Sequence, residues 1–178
     1  MAQRAILEYP DPRLRDCSTG VTVFDAALAV LVQDLKETLL AHQALGLSAP
    51  QLGDFRQVAV IHAGDRTEDP HVFINPEIIG KRGAFGFVQE SCLSIPDVSG
   101  SVIRDTQIRV RAHAPDGRVF EQDLQGMEAV CLQHEMDHFK GRLFFDRFSF
   151  VRRWMIEAKF RARAKAVSES SQANAPVA

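Results

Sequence analysis

His134-Glu135-Met136-Asp137-His138 is the stretch on which the reading of this chain turns. It lies in a segment, about Gln125 to Phe139, that reads as a helix ending at Gly141, a residue suited to a left-handed cap. Two histidines at i and i+4 share one helix face, with Cβ atoms roughly 5–6 Å apart. Both imidazoles then reach a single divalent ion, and Glu135 stands beside them to take a proton from a water on it. A solvated helix face spells the same five letters by chance, so the pattern asks for a further ligand elsewhere.

Metzincin proteases continue this motif with a glycine and a third histidine, but Phe139-Lys140-Gly141-Arg142-Leu143 follows here and no histidine occurs after His138. A thermolysin-type third ligand is a glutamate roughly twenty residues on, and Glu157 stands at about that spacing, which keeps a zinc peptidase open. Glu157 falls in a basic segment, however, where an ion pair along the helix is the expected role. Cys92 is the better third ligand. It sits in Glu90-Ser91-Cys92-Leu93-Ser94-Ile95-Pro96, and a thiolate with two imidazoles leaves the fourth position open for water, as a catalytic site requires.

Outward from these two segments, the 178 residues suffice for one domain with a sizeable core, expected over residues 1–167. The formal net charge of -2 gives no overall attraction to DNA or membrane, and no apolar run approaches the roughly 18 residues of a membrane span. The start, MAQRAILEYP, lacks the apolar stretch of a secretory signal, so a cytoplasmic protein is expected. Three cysteines, Cys17, Cys92 and Cys131, form no disulfide framework. Leu28, Leu31, Val32, Leu35 and Leu39 recur at helical spacing from Asp25 to about His42, with Asp25 or Thr22 as the cap. Short strands are expected at Gln57–His62, Val72–Asn75 and Gly86–Gln89, and a longer one at Ser101–Ala112. The turn Pro115-Asp116-Gly117 leads to a returning strand, Arg118–Asp123. A third helix runs from Phe148 to about Ala166, and the polar tail 168–178 is expected to be disordered. Strands bunched between helices make the class α+β, mostly antiparallel.

Three motifs in order resemble the peptide deformylase family, whose members carry GxGLAAxQ, EGCLS and HExDH. Here they read Ala44-Leu45-Gly46-Leu47-Ser48-Ala49-Pro50-Gln51, Glu90-Ser91-Cys92-Leu93-Ser94 and His134-Glu135-Met136-Asp137-His138. The opening ILEYPDPRLR, the segment VFINPEI and the continuation GRLFFDR are similar as well, so the resemblance covers nearly the whole chain. It implies the deformylase fold, antiparallel sheets packed around the helix that carries the histidines, with a C-terminal helix. The implied activity is removal of the formyl group from the N-terminal formylmethionine of newly made polypeptides, releasing formate. A deformylase-like protein with a specialised substrate or reduced activity is the other reading.

The same resemblance implies Cys92, His134 and His138 as ligands of one divalent metal, Fe²⁺ in the cell, with Zn²⁺, Ni²⁺ and Co²⁺ also suited to the donor set. Glu135 becomes the general base and acid, and the Gln51 amide and Leu93 N–H hold the formyl oxygen. Leu45, Gly46 and the Ser91 backbone pair with the substrate main chain, while Val88, Glu90, Met127, Val130 and Cys131 line the methionine pocket. Formylmethionyl peptides and nascent chains are the implied partners.

Ala44 and Ser91 replace glycines of the family pattern. If Ser91 must take positive φ it carries strain of about 1–3 kcal/mol; if only close approach matters, its hydroxymethyl group narrows the peptide groove. Asp137 is expected either beside the site or at the surface, and Glu90 with Arg104 as a pair, buried or exposed. The third helix carries Arg152, Arg153, Lys159, Arg161, Arg163 and Lys165 against Glu157. That face is either simply solvated or, as the resemblance implies for bacterial members, a contact with the ribosome.

Overall fold

The helical spacing of leucines closes into α1 (Ala26–Ala41), with Leu28, Leu31, Val32, Leu35 and Leu39 all buried. Asp25 is the cap: its Oδ1 accepts from Leu28 N at 2.9 Å, satisfying one of the free N–H groups of the first turn. The structure, a computed structural model, describes residues 4–64 and 67–173, with side chains as far as Arg163.

Among the described residues five strands follow, β1 (Gly46–Ser48), β2 (Val58–Ile61), β3 (His71–Cys92), β4 (Ile95–His113) and β5 (Val119–Gln125). They pair antiparallel in the order β1-β2-β3-β4-β5, so the class is α+β with one continuous sheet rather than several. The two short strands expected at Val72–Asn75 and Gly86–Gln89 are parts of β3. Its glycine-rich middle does not break the strand, because β4 pairs with it from Ile74 to Cys92 and absorbs the irregularity as register shifts. One shift lies at Arg82/Phe85, around Gly83 with its φ of 78°. β1 is short and pairs with β2 from Gly46 to Ser48.

α2 (Met127–His138) packs on the sheet. Ala129, Cys131 and Leu132 share a core with Ile61, Phe73, Ile108, Val110 and Leu124. A second core lies under α1, and a third gathers Leu14, Ile95, Val102, Phe144 and Phe145 with Ile156 and Phe160 of α3 (Phe150–Ala173). The helix is described past Ser168, where the tail was expected to begin; residues 174–178 lie outside the described residues, and the Lys165 side chain lies beyond the described side chains. No helix among the described residues is long and apolar enough to cross a membrane.

Candidate metal centre

α2 is buried on several sides. Its apolar residues face the sheet, and His134, Glu135 and His138 are 8%, 2% and 1% exposed. Chemistry-bearing side chains this buried demand partners. Cys92, at the end of β3, meets them: Cys92 Sγ lies 3.4 Å from His138 Nε2. One ligand atom each from Cys92, His134 and His138 falls within 4.8 Å of the others, the only such triad of metal-ligating residue types among the described residues.

The orientation of the rings follows from their outer contacts. His134 Nδ1 lies 2.8 Å from Glu90 Oε2, which leaves Nε2 for the centre. Glu90 in turn accepts from Arg104 Nε at 2.6 Å and from its Nη2 at 2.9 Å. The other side of that guanidinium donates to Asp137 Oδ2 at 2.6 Å, and Arg147 closes the row on Asp137 at 2.8 Å. Asp137 is therefore buried and structural, and Glu90–Arg104 is a buried pair. Arg104 is 2% exposed between two carboxylates, and such an arrangement is tolerable only because each charge is paired.

Electrostatics divide the group. Burial opposes the charged form of His134, yet hydrogen bonding to Cys92 and Glu90 raises it well above the usual imidazole range. Burial and the neighbouring His134 charge push His138 well below that range. A buried thiol and two imidazoles facing one point, with the distal nitrogen of one ring held by a carboxylate, fit a divalent ion of the borderline class.

Glu135 and Gln51 complete the site. Burial raises the Glu135 carboxyl, and its Oε2 has no hydrogen-bond partner among the described residues. Gln51, in the 3₁₀ turn Ala49–Leu52, is anchored through Oε1, which accepts from Ser48 N at 2.9 Å and from Ser48 Oγ at 3.0 Å. The anchored amide then points Nε2 at Cys92 Sγ, 3.5 Å away, and at Ser94 Oγ, 3.1 Å away. A cavity of about 450 Å³ opens beside these groups. Leu45, Gly46, Glu90, Ser91, Leu93, Met127, Val130 and Cys131 line it together with Gln51, Cys92, His134 and Glu135. Val88 is not in that lining; it is half-buried on β3 opposite Val102.

Glu157 belongs elsewhere: Arg153 Nε donates to its Oε1 at 2.9 Å, the intrahelical pair expected of it, and among the described residues it joins no metal-ligating cluster. Neither Ser91 nor Ala44 has positive φ, so the strained alternative for Ser91 does not arise. Ser48 stands where the family pattern has alanine and no role was expected of it, although Ser48-x-x-Gln51 is a capping-box spacing and carried the signal. Arg147 was also missed, because nothing local shows that it will meet Asp137.

Cysteine and two histidines around one point, with a buried carboxylate and an amide donor at the mouth of a cavity, define a metal-dependent hydrolase. The chain matches the polypeptide deformylase family over residues 3–154 and belongs to it. It is 40% identical to a peptide deformylase of Hahella chejuensis, over 93% of this chain and 98% of that one. It is 38% identical to a peptide deformylase of Chromobacterium violaceum over the same shares. The fold superposes on a crystal structure of a peptide deformylase from Legionella pneumophila with a TM-score of 0.83 at 37% identity, covering 98% of this chain and all of that one. For the peptide deformylase of Ehrlichia chaffeensis in complex with actinonin the TM-score is 0.85 at 32% identity, covering 92% of this chain and 98% of that one.

Proposed function

We propose that this chain removes the N-formyl group from the formylmethionine that begins newly made polypeptides, releasing formate, with one divalent ion held by Cys92, His134 and His138. The observation that carries the reading is the convergence of these three ligand atoms with Glu135 and Gln51 Nε2 at one cavity. The bound ion supplies a Lewis acid and a water of lowered pKa. Glu135, its carboxyl raised by burial, takes the proton of the attacking water and delivers it to the departing amine nitrogen as the C–N bond of the formamide breaks. Gln51 Nε2 and Leu93 N–H donate to the oxygen on which negative charge develops. Leu45, Gly46 and the Ser91 backbone hold the peptide as an added strand. Met127, Val130 and Cys131, with Glu90 on β3, form the side of the site that takes the methionine side chain, and Val88 stands next to Glu90 on the same strand face, outside the cavity lining.

Fe²⁺ is the ion we propose for the cell, with Zn²⁺, Ni²⁺ and Co²⁺ suited to the same donors. The cytoplasm is the proposed location. Arg152, Arg153, Lys159, Arg161 and Arg163 stand exposed on α3, which supports a ribosome contact.

Cys92→Ala tests the ligand set. It is expected to lose the one ion per chain that the unaltered protein retains on dialysis, and with it formate release. Full metal retention by Cys92→Ala overturns the proposal. Gln51→Leu is expected to retain the ion and to lower kcat about 10²–10³-fold.

A further inference from the structure

β3 and β4 alternate strictly near the site. Val88 and Glu90 turn inward with Gly100, Val102 and Arg104, while Phe85, Phe87, Gln89 and Ser91 turn outward with Ser99, Ser101 and Ile103. An outward face of an antiparallel sheet is ordinarily polar. Here its far half carries exposed apolar side chains: Phe85 is 72% exposed, Phe87 81% and Ile103, opposite Phe87 in the register, 49%, with Asp105, opposite Phe85, paired to Lys81 at 2.7 Å. The near half is the cavity wall, since Gln89 and Ser91 both line it. Gln89 is held there by Nε2 donating to Ser99 Oγ at 3.2 Å and Oε1 accepting from Ser101 Oγ at 3.3 Å. The apolar platform is thus continuous with the site along one strand face.

β2 pairs with β3 only from His71 to Ile74, so among the described residues no strand covers the other edge of β3 from Glu77 to Ser91. An extended peptide whose first residue sits by Ser91 and which runs away from the metal ligands follows that edge toward Phe87. At roughly 3.3 Å per residue, Phe87 lies about 13 Å from Ser91, the reach of four further residues.

We infer that Phe87, with Ile103 and Phe85, forms a secondary subsite that favours an apolar side chain at the fifth or sixth residue of the formylated polypeptide, whichever of the two faces outward. The inference rests on the deformylase reading above. Its occupant is the nascent chain itself, since the face continues the wall of the substrate cavity and its open edge offers main-chain hydrogen bonds to an extended segment.

The test uses the metal-loaded full chain and three substrates: a formylmethionyl tripeptide, a heptapeptide with leucine at positions five and six, and the same heptapeptide with serine there. The quantity read is the ratio of kcat/KM for each heptapeptide to that for the tripeptide, which ends before the platform. The leucine heptapeptide is expected to exceed the tripeptide about tenfold through a lower KM, the serine heptapeptide to show no gain, and Phe87→Ser to lose most of the leucine gain. Tripeptide hydrolysis without any gain for the leucine heptapeptide overturns the subsite alone. A gain that persists in the double variant Phe87→Ser, Ile103→Ser also overturns it. So does a wild type that is dimeric by sedimentation, monomeric as Phe87→Ser, and free of any length effect, because the face then belongs to a second copy. No tripeptide hydrolysis by folded, metal-replete protein overturns the deformylase reading and the subsite with it.

Discussion

Glu90 Oε2 stands 2.8 Å from His134 Nδ1, so a carboxylate fixes which nitrogen of that ring is free for the metal. This pairing also raises the basicity of the ligand nitrogen. Glu90→Gln keeps the shape and removes the charge. Its metal affinity is expected to fall about 10–100-fold in competition against a chromophoric chelator. An affinity equal to that of the unaltered protein would remove Glu90 from the account of the centre.

The same carboxylate makes the metal-free fold sensitive to acid. Burial alone would raise Glu90, but Arg104 and then His134 outweigh it and hold the carboxyl at about 2, against an ordinary 4.5. A carboxyl whose folded value lies below its unfolded value contributes stability that is complete above the unfolded value and lost as pH falls through the folded one. A shift of this size corresponds to about 3 kcal/mol, present above about pH 4.5 and lost progressively toward about pH 2. Denaturant unfolding of the metal-free protein near pH 7 and near pH 3 is expected to show a larger acid loss in the unaltered chain than in Glu90→Gln. Equal losses contradict the prediction.

Gly46 is required by its neighbours. A Cβ there would overlap Cys131 Sγ and come within 2.6 Å of Glu135 Oε1, so the buried carboxylate must move. Gly46→Ala is expected to keep the metal, since neither of its two nearest neighbours, Cys131 and Glu135, is a proposed ligand, and to lower kcat by about 10²-fold or more through displacement of Glu135. Metal content and kcat measured on one preparation decide it; an unchanged kcat refutes the close approach.

Ser91 has no positive φ and lines the cavity, so its side chain is expected to act on the substrate rather than on the backbone. Ser91→Gly is expected to leave stability within about 0.5 kcal/mol, apart from the entropy glycine adds to the unfolded chain, and to change KM more than kcat. A large gain in stability with KM unchanged would mean that the serine is strained after all.

What the sequence made legible follows from range. α1 and α2 are local patterns: Leu28 to Leu39 repeat with the helical period, and His134 and His138 are four residues apart, so one helix is enough to read them. β3 is not local. Gly80, Gly83 and Gly86 look like a break, and only pairing with β4 holds 22 residues in one strand. The row Arg147–Asp137–Arg104–Glu90–His134 draws on α2, β3, β4 and the 3₁₀ turn Phe144–Arg147. No window of sequence contains it, and Asp137 by itself reads equally well as a surface residue. Gln51 was legible as a motif residue, whereas its aim at Cys92 depends on two hydrogen bonds from Ser48.

Formate release from a formylmethionyl tripeptide tests the central claim most directly. The protein is loaded anaerobically with Fe²⁺, or with Ni²⁺ as a more robust ion, and compared with Glu135→Gln carrying the same metal content. The account predicts release by the unaltered protein and its loss, by about 10²-fold or more, in the variant. No formate from folded, metal-replete protein, or equal release from Glu135→Gln, would contradict it.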